Sequence, residues 1–188
     1  MSASKVKNSI RCLPAIPFPE DGRVCRYIDP TAVLIGNYEL EDGVSIWPYA
    51  VIRADHDRVV VGEGSNVQEH AVLHVDTGFP TIIGRNVTVG HGAIINRAKV
   101  GDHCIIGMNA TVVEGAIISD DCIIGANAVV TGKMVIPSGS IVVGVPGRIV
   151  RSNDPTVHDR AENNARAYHA LRDEHLAGRY ARYKAAQP

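Results

Sequence analysis

The chain has 188 residues and a net charge of -1, with 45% hydrophobic but only 5% aromatic residues. That balance fits one domain with a narrow aliphatic core plus an appendage. There is no Lys/Arg block, which argues against nucleic acid or an anionic membrane as partner, and no apolar run reaches the ~18 residues of a membrane span.

Residues 1–27 form the first segment. Pro14, Pro17 and Pro19 predict a stiff extended lead-in rather than a helix. The segment lacks the apolar stretch of a signal peptide, so the expected location is cytoplasmic.

A six-residue period then takes over. Ile28, Leu34, Leu40, Ile46 and Ile52 fall six apart, and from Val100 the series Ile106, Val112, Ile118, Ile124, Val130, Ile136 and Val142 runs without a miss. Neither a helix nor a single strand sustains that period. It predicts a parallel β-helix of hexapeptide repeats, an all-β solenoid, over residues 28–150. Between the two series the period pauses twice, for three residues after Ile52 and for four after Leu73. These pauses predict loops over 54–58 and 75–80, where function concentrates on a solenoid. From Pro155 the spacing of Val157, Ala161, Ala165, Tyr168 and Leu171 predicts a C-terminal helix within 151–188 that packs along the β-helix. Asn153 or Asp154 is placed to cap it, with Pro155 at its first turn.

The four cysteines show no CxxC spacing. Cys104 and Cys122 are eighteen apart, so with three hexads per coil they stack about 4.8 Å apart. The same slot holds Ala110, Ala116 and Ala128, so a small inward residue is the simplest reading.

Counting vertices also predicts a site. Ile52, Leu73 and Ile95 share one edge, so the residues after them, Arg53, His74 and Asn96, form an outward column. His91 belongs near Gln68, around the corner. A single chain does not readily unite His74 with His91, whereas a three-fold neighbour could, which points to a homotrimer. Two imidazoles and the Asn96 amide at a cleft are a candidate metal site. Hydrogen-bonded interface histidines are the alternative at this point.

The stretches VIRAD (51–55), VGEGSNVQEHAVLH (61–74), IGRNVTVGHGAII (83–95), the perfect hexads of 100–130 and IVVGVPGRIVR (141–151) resemble the gamma-class carbonic anhydrases and their hexapeptide-repeat relatives. The resemblance implies a left-handed β-helix and a homotrimer with metal sites between subunits, each holding zinc or iron(II) by three histidines. It assigns His74 and His91 as two ligands, and the third position is occupied by Asn96. It assigns Arg53 and Asp55 to an ionic contact at the interface, Asn66 to the "NxQ" turn and Gln68 to orienting the reactive hydroxide. His56, Asp57 and Asp76 are the loop residues available to export a proton, His56 being the chemically apt shuttle. The expected activity is reversible carbon dioxide hydration, with metal binding and turnover weakened by Asn96; His70 and His56 are the nearest residues that could complete the ligand set. Two other functions fit the repeat: an acyltransferase using acyl-coenzyme A, with His74 or His91 as base, and a non-catalytic scaffold.

Overall fold

The computed structural model describes residues 26–180. The proline-rich lead-in and the last eight residues lie outside them. Short parallel strands stack coil upon coil into a three-sided prism. The first side is an eight-stranded sheet that includes Ser45–Ile46, Asn66–Val67, Thr88–Val89, Ile105–Ile106 and Ile123–Ile124. The other two sides form one ten-stranded sheet, joined through the long strands Val33–Leu40 and Val51–Val61. The second side continues as Val72–His74, Ile94–Asn96 and Thr111–Val112, and the third as Thr81–Ile83, Lys99–Val100 and Ile117–Ile118.

The six-residue period is the geometry of this prism. Each vertex aliphatic points inward and pairs in register with its counterpart one coil away: Ile52 with Leu73, Leu73 with Ile95, Val89 with Ile106 and Ile106 with Ile124. These side chains are fully buried. The interior is too narrow for rings, which accounts for the aliphatic composition. Corners turn through left-handed residues. One corner column, between the third and first sides, is Gly43, Gly64, Asn86, His103, Asp121 and Gly139, all at positive φ. Asn, Asp and His tolerate that conformation better than other side chains.

The first pause differs from the expected loop. Val51–Val61 runs as one strand through the corner, and the three extra residues, Asp55 to Asp57, bulge out where Gly36 pairs with Ala54 and Asn37 with Arg58. A neighbouring strand makes the same corner, so most of the segment keeps ladder partners. The second pause is a tight excursion closed by a bridge between Asp76 and Phe79. At the far end, Arg148–Arg151 turns back antiparallel on Ile141–Val143 and covers the solenoid edge.

The helix, α1 (Thr156–Leu176), begins where Asp154 Oδ1 accepts the Thr156 N–H at 3.0 Å and its hydroxyl at 2.7 Å. Val157, Ala161 and Ala165 are buried, while Tyr168 and Leu171 are half-buried. The helix descends the corner column against its own solenoid. His158 meets Asp121, His169 donates Nε2–H to the Gly64 carbonyl at 2.8 Å, and Arg172 donates to the Gly43 carbonyl at 2.7 Å. The match is geometric: a helical turn rises about 5.4 Å, close to the strand spacing of about 4.8 Å, so one contact forms per turn and coil. No helix of the described residues is long and apolar enough to cross a membrane.

Candidate functional site

The sequence-predicted residues gather at two corners. Arg53, His74 and Asn96 are direct register partners in successive coils, as the vertex count requires. They stand where the second side turns into the third, beside the Asp55–Asp57 bulge and the 75–80 excursion. Gln68 and His91 stand where the first side turns into the second. The second side therefore separates the two groups, which occupy its opposite edges.

At the first edge, His74 donates Nδ1–H to Asn96 Oδ1 at 3.0 Å. An acceptor at Nδ1 fixes the tautomer, so Nε2 carries a lone pair. That Nε2 is buried and has no hydrogen-bond partner. The backbone is held from below by the Thr81 hydroxyl, which donates to the His74 carbonyl at 2.6 Å and accepts the Arg97 N–H at 3.0 Å. Arg53 donates to Asp55 Oδ2 at 2.6 Å, with both side chains exposed. Desolvation pushes the Asp55 carboxyl up, but its hydrogen bonds and the charges of Arg53 and His56 outweigh this and hold it below the usual carboxylate range. The Asp76 carboxyl is also held low, first by the Thr77 N–H and then by the charges of Arg97, His56 and His74. His56 is exposed on the bulge, and Asp57 beside it accepts the Arg58 N–H at 2.7 Å.

At the second edge, Gln68 is 4% exposed and fixed at both ends. Its Oε1 accepts the His91 N–H at 3.1 Å, and its Nε2 donates to Asn66 Oδ1 at 3.0 Å. Asn66 in turn donates to Thr88 Oγ1 at 2.9 Å, which also receives Asn164 of α1 at 2.8 Å. His91 donates Nδ1–H to Glu69 Oε2 at 2.6 Å, leaving its exposed Nε2 bare. Gln68 and His91 border a cleft of about 580 Å³ between the first side and α1, lined also by Met108, Arg160 and Tyr168.

Both histidines thus have Nδ1 committed to an oxygen and Nε2 available, the arrangement of metal-ligating imidazoles with oriented outer partners. The buried, unpartnered Nε2 of His74 fits a ligand. Asn96 does not fit that role in this geometry. The two ring nitrogens of His74 point in diverging directions, so an oxygen held at Nδ1 is turned away from whatever Nε2 binds. His70 does not fill the gap either: its ring stacks on Tyr49 at 5.4 Å, at the opposite edge from His74. Sequence reasoning missed the Glu69 contact, although a carboxylate next to Gln68 in one coil and below His91 in the next was a readable signal.

The family model "Bacterial transferase hexapeptide (six repeats)" matches residues 97–132. A protein of Methanocaldococcus jannaschii named "Probable carbonic anhydrase" is 48% identical over 120 residues, 64% of this chain and 76% of that one. The mitochondrial gamma carbonic anhydrase 1 of Arabidopsis thaliana is 35% identical over 131 residues, 66% of this chain and 48% of its own, so the chain spans about half of the plant protein. The chain belongs to the gamma carbonic anhydrase-like family. A hexapeptide transferase family protein of Anaplasma phagocytophilum shares the fold at a TM-score of 0.69 and 29% identity, over 80% of this chain and 92% of that one.

Proposed function

We propose that this protein is a gamma carbonic anhydrase-like enzyme that hydrates carbon dioxide reversibly at sites formed between the subunits of a homotrimer. His74 of one subunit and His91 of the next would hold zinc or iron(II). When bound, the metal supplies the Lewis acidity that lets water act as a nucleophile near neutral pH. The observation that carries the reading is the buried, unpartnered Nε2 of His74, with its Nδ1 held by Asn96.

The position of the half-sites supports the assembly. Opposite edges of one side come together when that side faces a three-fold axis. The same side presents an outward aliphatic column of Val33, Val51, Val72 and Ile94, with Val33 45% and Ile94 42% exposed. Burying such a column against copies of itself is favourable at about 25 cal/mol per Å². Arg53 and Asp55 lie at the edge of this contact and would bridge it.

The remaining residues have distinct tasks. Gln68 is immobilised by His91 and Asn66, and its second Nε2–H is left to donate to the attacking oxygen or to bicarbonate. His56, exposed on the bulge, takes the released proton at a ring nitrogen and passes it to solvent. With two imidazoles instead of three, metal affinity and turnover are lower than a three-histidine site would give.

Acyl transfer is the second reading, favoured by the likeness to the hexapeptide transferase family protein. The test is metal content of untagged protein together with stopped-flow carbon dioxide hydration, for the native chain, His74→Ala and Asn96→His. The proposal expects bound metal and hydration in the native chain, and in His74→Ala the loss of hydration and of the metal that His74 shares with His91. Inactive native protein whose metal content is unchanged by His74→Ala overturns it: recovery of hydration in Asn96→His then identifies a scaffold with a retired site, and acetyl-coenzyme A turnover supports the transferase.

A further inference from the structure

We infer that the protein carries a second divalent-metal site, built from His103, Asp121 and His158 with Glu162 beside them, that clamps α1 to the solenoid. The site lies on the corner between the third and first sides. Neither His74 nor His91 is on that corner, so the clamp does not depend on the function proposed above.

The geometry brings three ligand groups together from two elements, with Glu162 beside His103. His103 and Asp121 are stacked corner residues of successive coils, joined by the ladder bond from the Asp121 N–H to the Asp102 carbonyl. Both hold a left-handed backbone, with φ of 51° and 55°. His158 and Glu162 are four apart on α1, so they share one helix face. One ligand atom from each of His103, Asp121 and His158 lies within 4.8 Å of the others. His158 Nδ1 is 2.7 Å from Asp121 Oδ1, and His103 Nε2 is 3.6 Å from Glu162 Oε2. The two imidazole centroids are 4.6 Å apart.

Two imidazoles with one or two carboxylates are a ligand set for zinc and neighbouring first-row metals. Closing from the present separations to a metal shell needs side-chain rotation only, because the backbones are fixed by the solenoid ladder and the helix. Without metal the groups satisfy one another through the His158–Asp121 hydrogen bond and the Asn86 amide, which donates to His103 Nε2 at 3.3 Å. A metal replaces the proton shared by His158 and Asp121 and takes the His103 lone pair from Asn86. The side chains of His158 and Asp121 are 50% and 34% exposed, which leaves an entry path. Because the ligands come from both solenoid and helix, occupancy fastens the start of α1 onto the coil of Asp121.

The experiment uses the full chain, metal-stripped, with His91→Ala removing the half-site at the other corner. Zinc is titrated calorimetrically, and cobalt(II) is followed by its visible absorption. The inference expects one zinc per chain in His91→Ala, a melting temperature that rises with zinc, and at least a tenfold loss of affinity when His158→Asn is added. Asp121→Asn, which keeps shape and hydrogen bonding, is expected to weaken zinc in the same sense with unchanged helix content by circular dichroism. Absence of zinc binding in His91→Ala overturns the inference, as does binding that neither His158→Asn nor Asp121→Asn weakens.

Discussion

The role given to Asn96 is tested most directly by Asn96→Leu, which keeps the size of the side chain and deletes the acceptor. Two consequences follow from the 3.0 Å contact with His74. The Nδ1–H of a half-buried ring loses its partner. A fully buried donor left unsatisfied costs about 1–3 kcal/mol, and the partial exposure of His74 puts the expected loss near the lower end, about 1 kcal/mol. The ring is also freed to rotate, so Nε2 is no longer presented in one direction. Loss of an outer partner of a metal-ligating histidine weakens metal binding by about 10–100-fold, which is about 1.4–2.8 kcal/mol at 1.4 kcal/mol per decade. The assay is zinc affinity of metal-stripped protein by competition with a chromogenic chelator, in the His158→Asn background to silence the helix corner. Asn96→Asp, which retains an acceptor at the same reach, is expected to bind zinc at least as tightly as the native residue. If Asn96→Leu binds zinc as tightly as Asn96 does, the orienting role is wrong.

Two further outcomes follow from the packing. Ile106 is fully buried between Val89 and Ile124, so Ile106→Ala is expected to cost about 2–5 kcal/mol and to lower the melting temperature by about 4–20 °C, at roughly 2–4 °C per kcal/mol for a chain of this size; an unchanged melting curve would contradict the inward register. The helix starts at Thr156 with Pro155, not Asp154, at the N-cap position; Asp154 just ahead of it accepts from Thr156, and its carboxyl is held below the usual carboxylate range first by the side-chain hydrogen bond from Thr156, then by the Thr156 N–H and Arg151. The unfolded chain therefore takes up the proton first, so the contribution of these contacts is complete above the ordinary carboxylate pKa and fades as pH falls through the lowered one. The gap in melting temperature between native protein and Asp154→Ala should be constant from pH 8 to 5 and shrink toward pH 3, as followed by circular dichroism; a gap that widens on acidification would reverse the assignment.

The fold was legible because its period is a direct record of the cross-section. Ile52, Leu73 and Ile95 stack because each coil needs one inward aliphatic per strand, and the residues after them, Arg53, His74 and Asn96, inherit the register without further information. Gln68 beside His91 followed from the same count. What the period could not give was the behaviour of residues outside it. The Asp55–Asp57 bulge reads as a loop in sequence because nothing there marks the neighbouring strand, Val33–Leu40, that turns the same corner. The descent of α1 down a column of left-handed corner residues depends on matching a helical pitch to a strand spacing, which no local pattern encodes. Hydrogen-bond direction was also invisible: the identity of Asn96 suggested a poor ligand, whereas its contact with His74 Nδ1 suits it to orient that ring in the proposed site.

That last point follows from the register itself. Residues 74 and 96 pair directly across one ladder step, so whatever stands at 96 must meet the ring at 74. A short amide reaches only the near side of that ring, Nδ1, and by occupying it fixes the far nitrogen outward. A longer imidazole at 96 could extend past the ring toward the same point that Nε2 addresses and act as a ligand in its own right. The substitution therefore changes the task of position 96 without disturbing the coil, because both residues present an outward side chain after a buried Ile95. In the function proposed above, such a site would keep two fixed imidazoles at opposite edges of one side and depend on a second copy to bring them together. Loss of subunit contact should then abolish metal binding by the pair even when every ligand residue is intact. A charge introduced into the outward column, Ile94→Glu, separates the cases: it leaves the buried core and both half-sites unaltered within each chain. In the His158→Asn background, zinc retained by a monomeric Ile94→Glu chain would mean that the two edges do not share a metal.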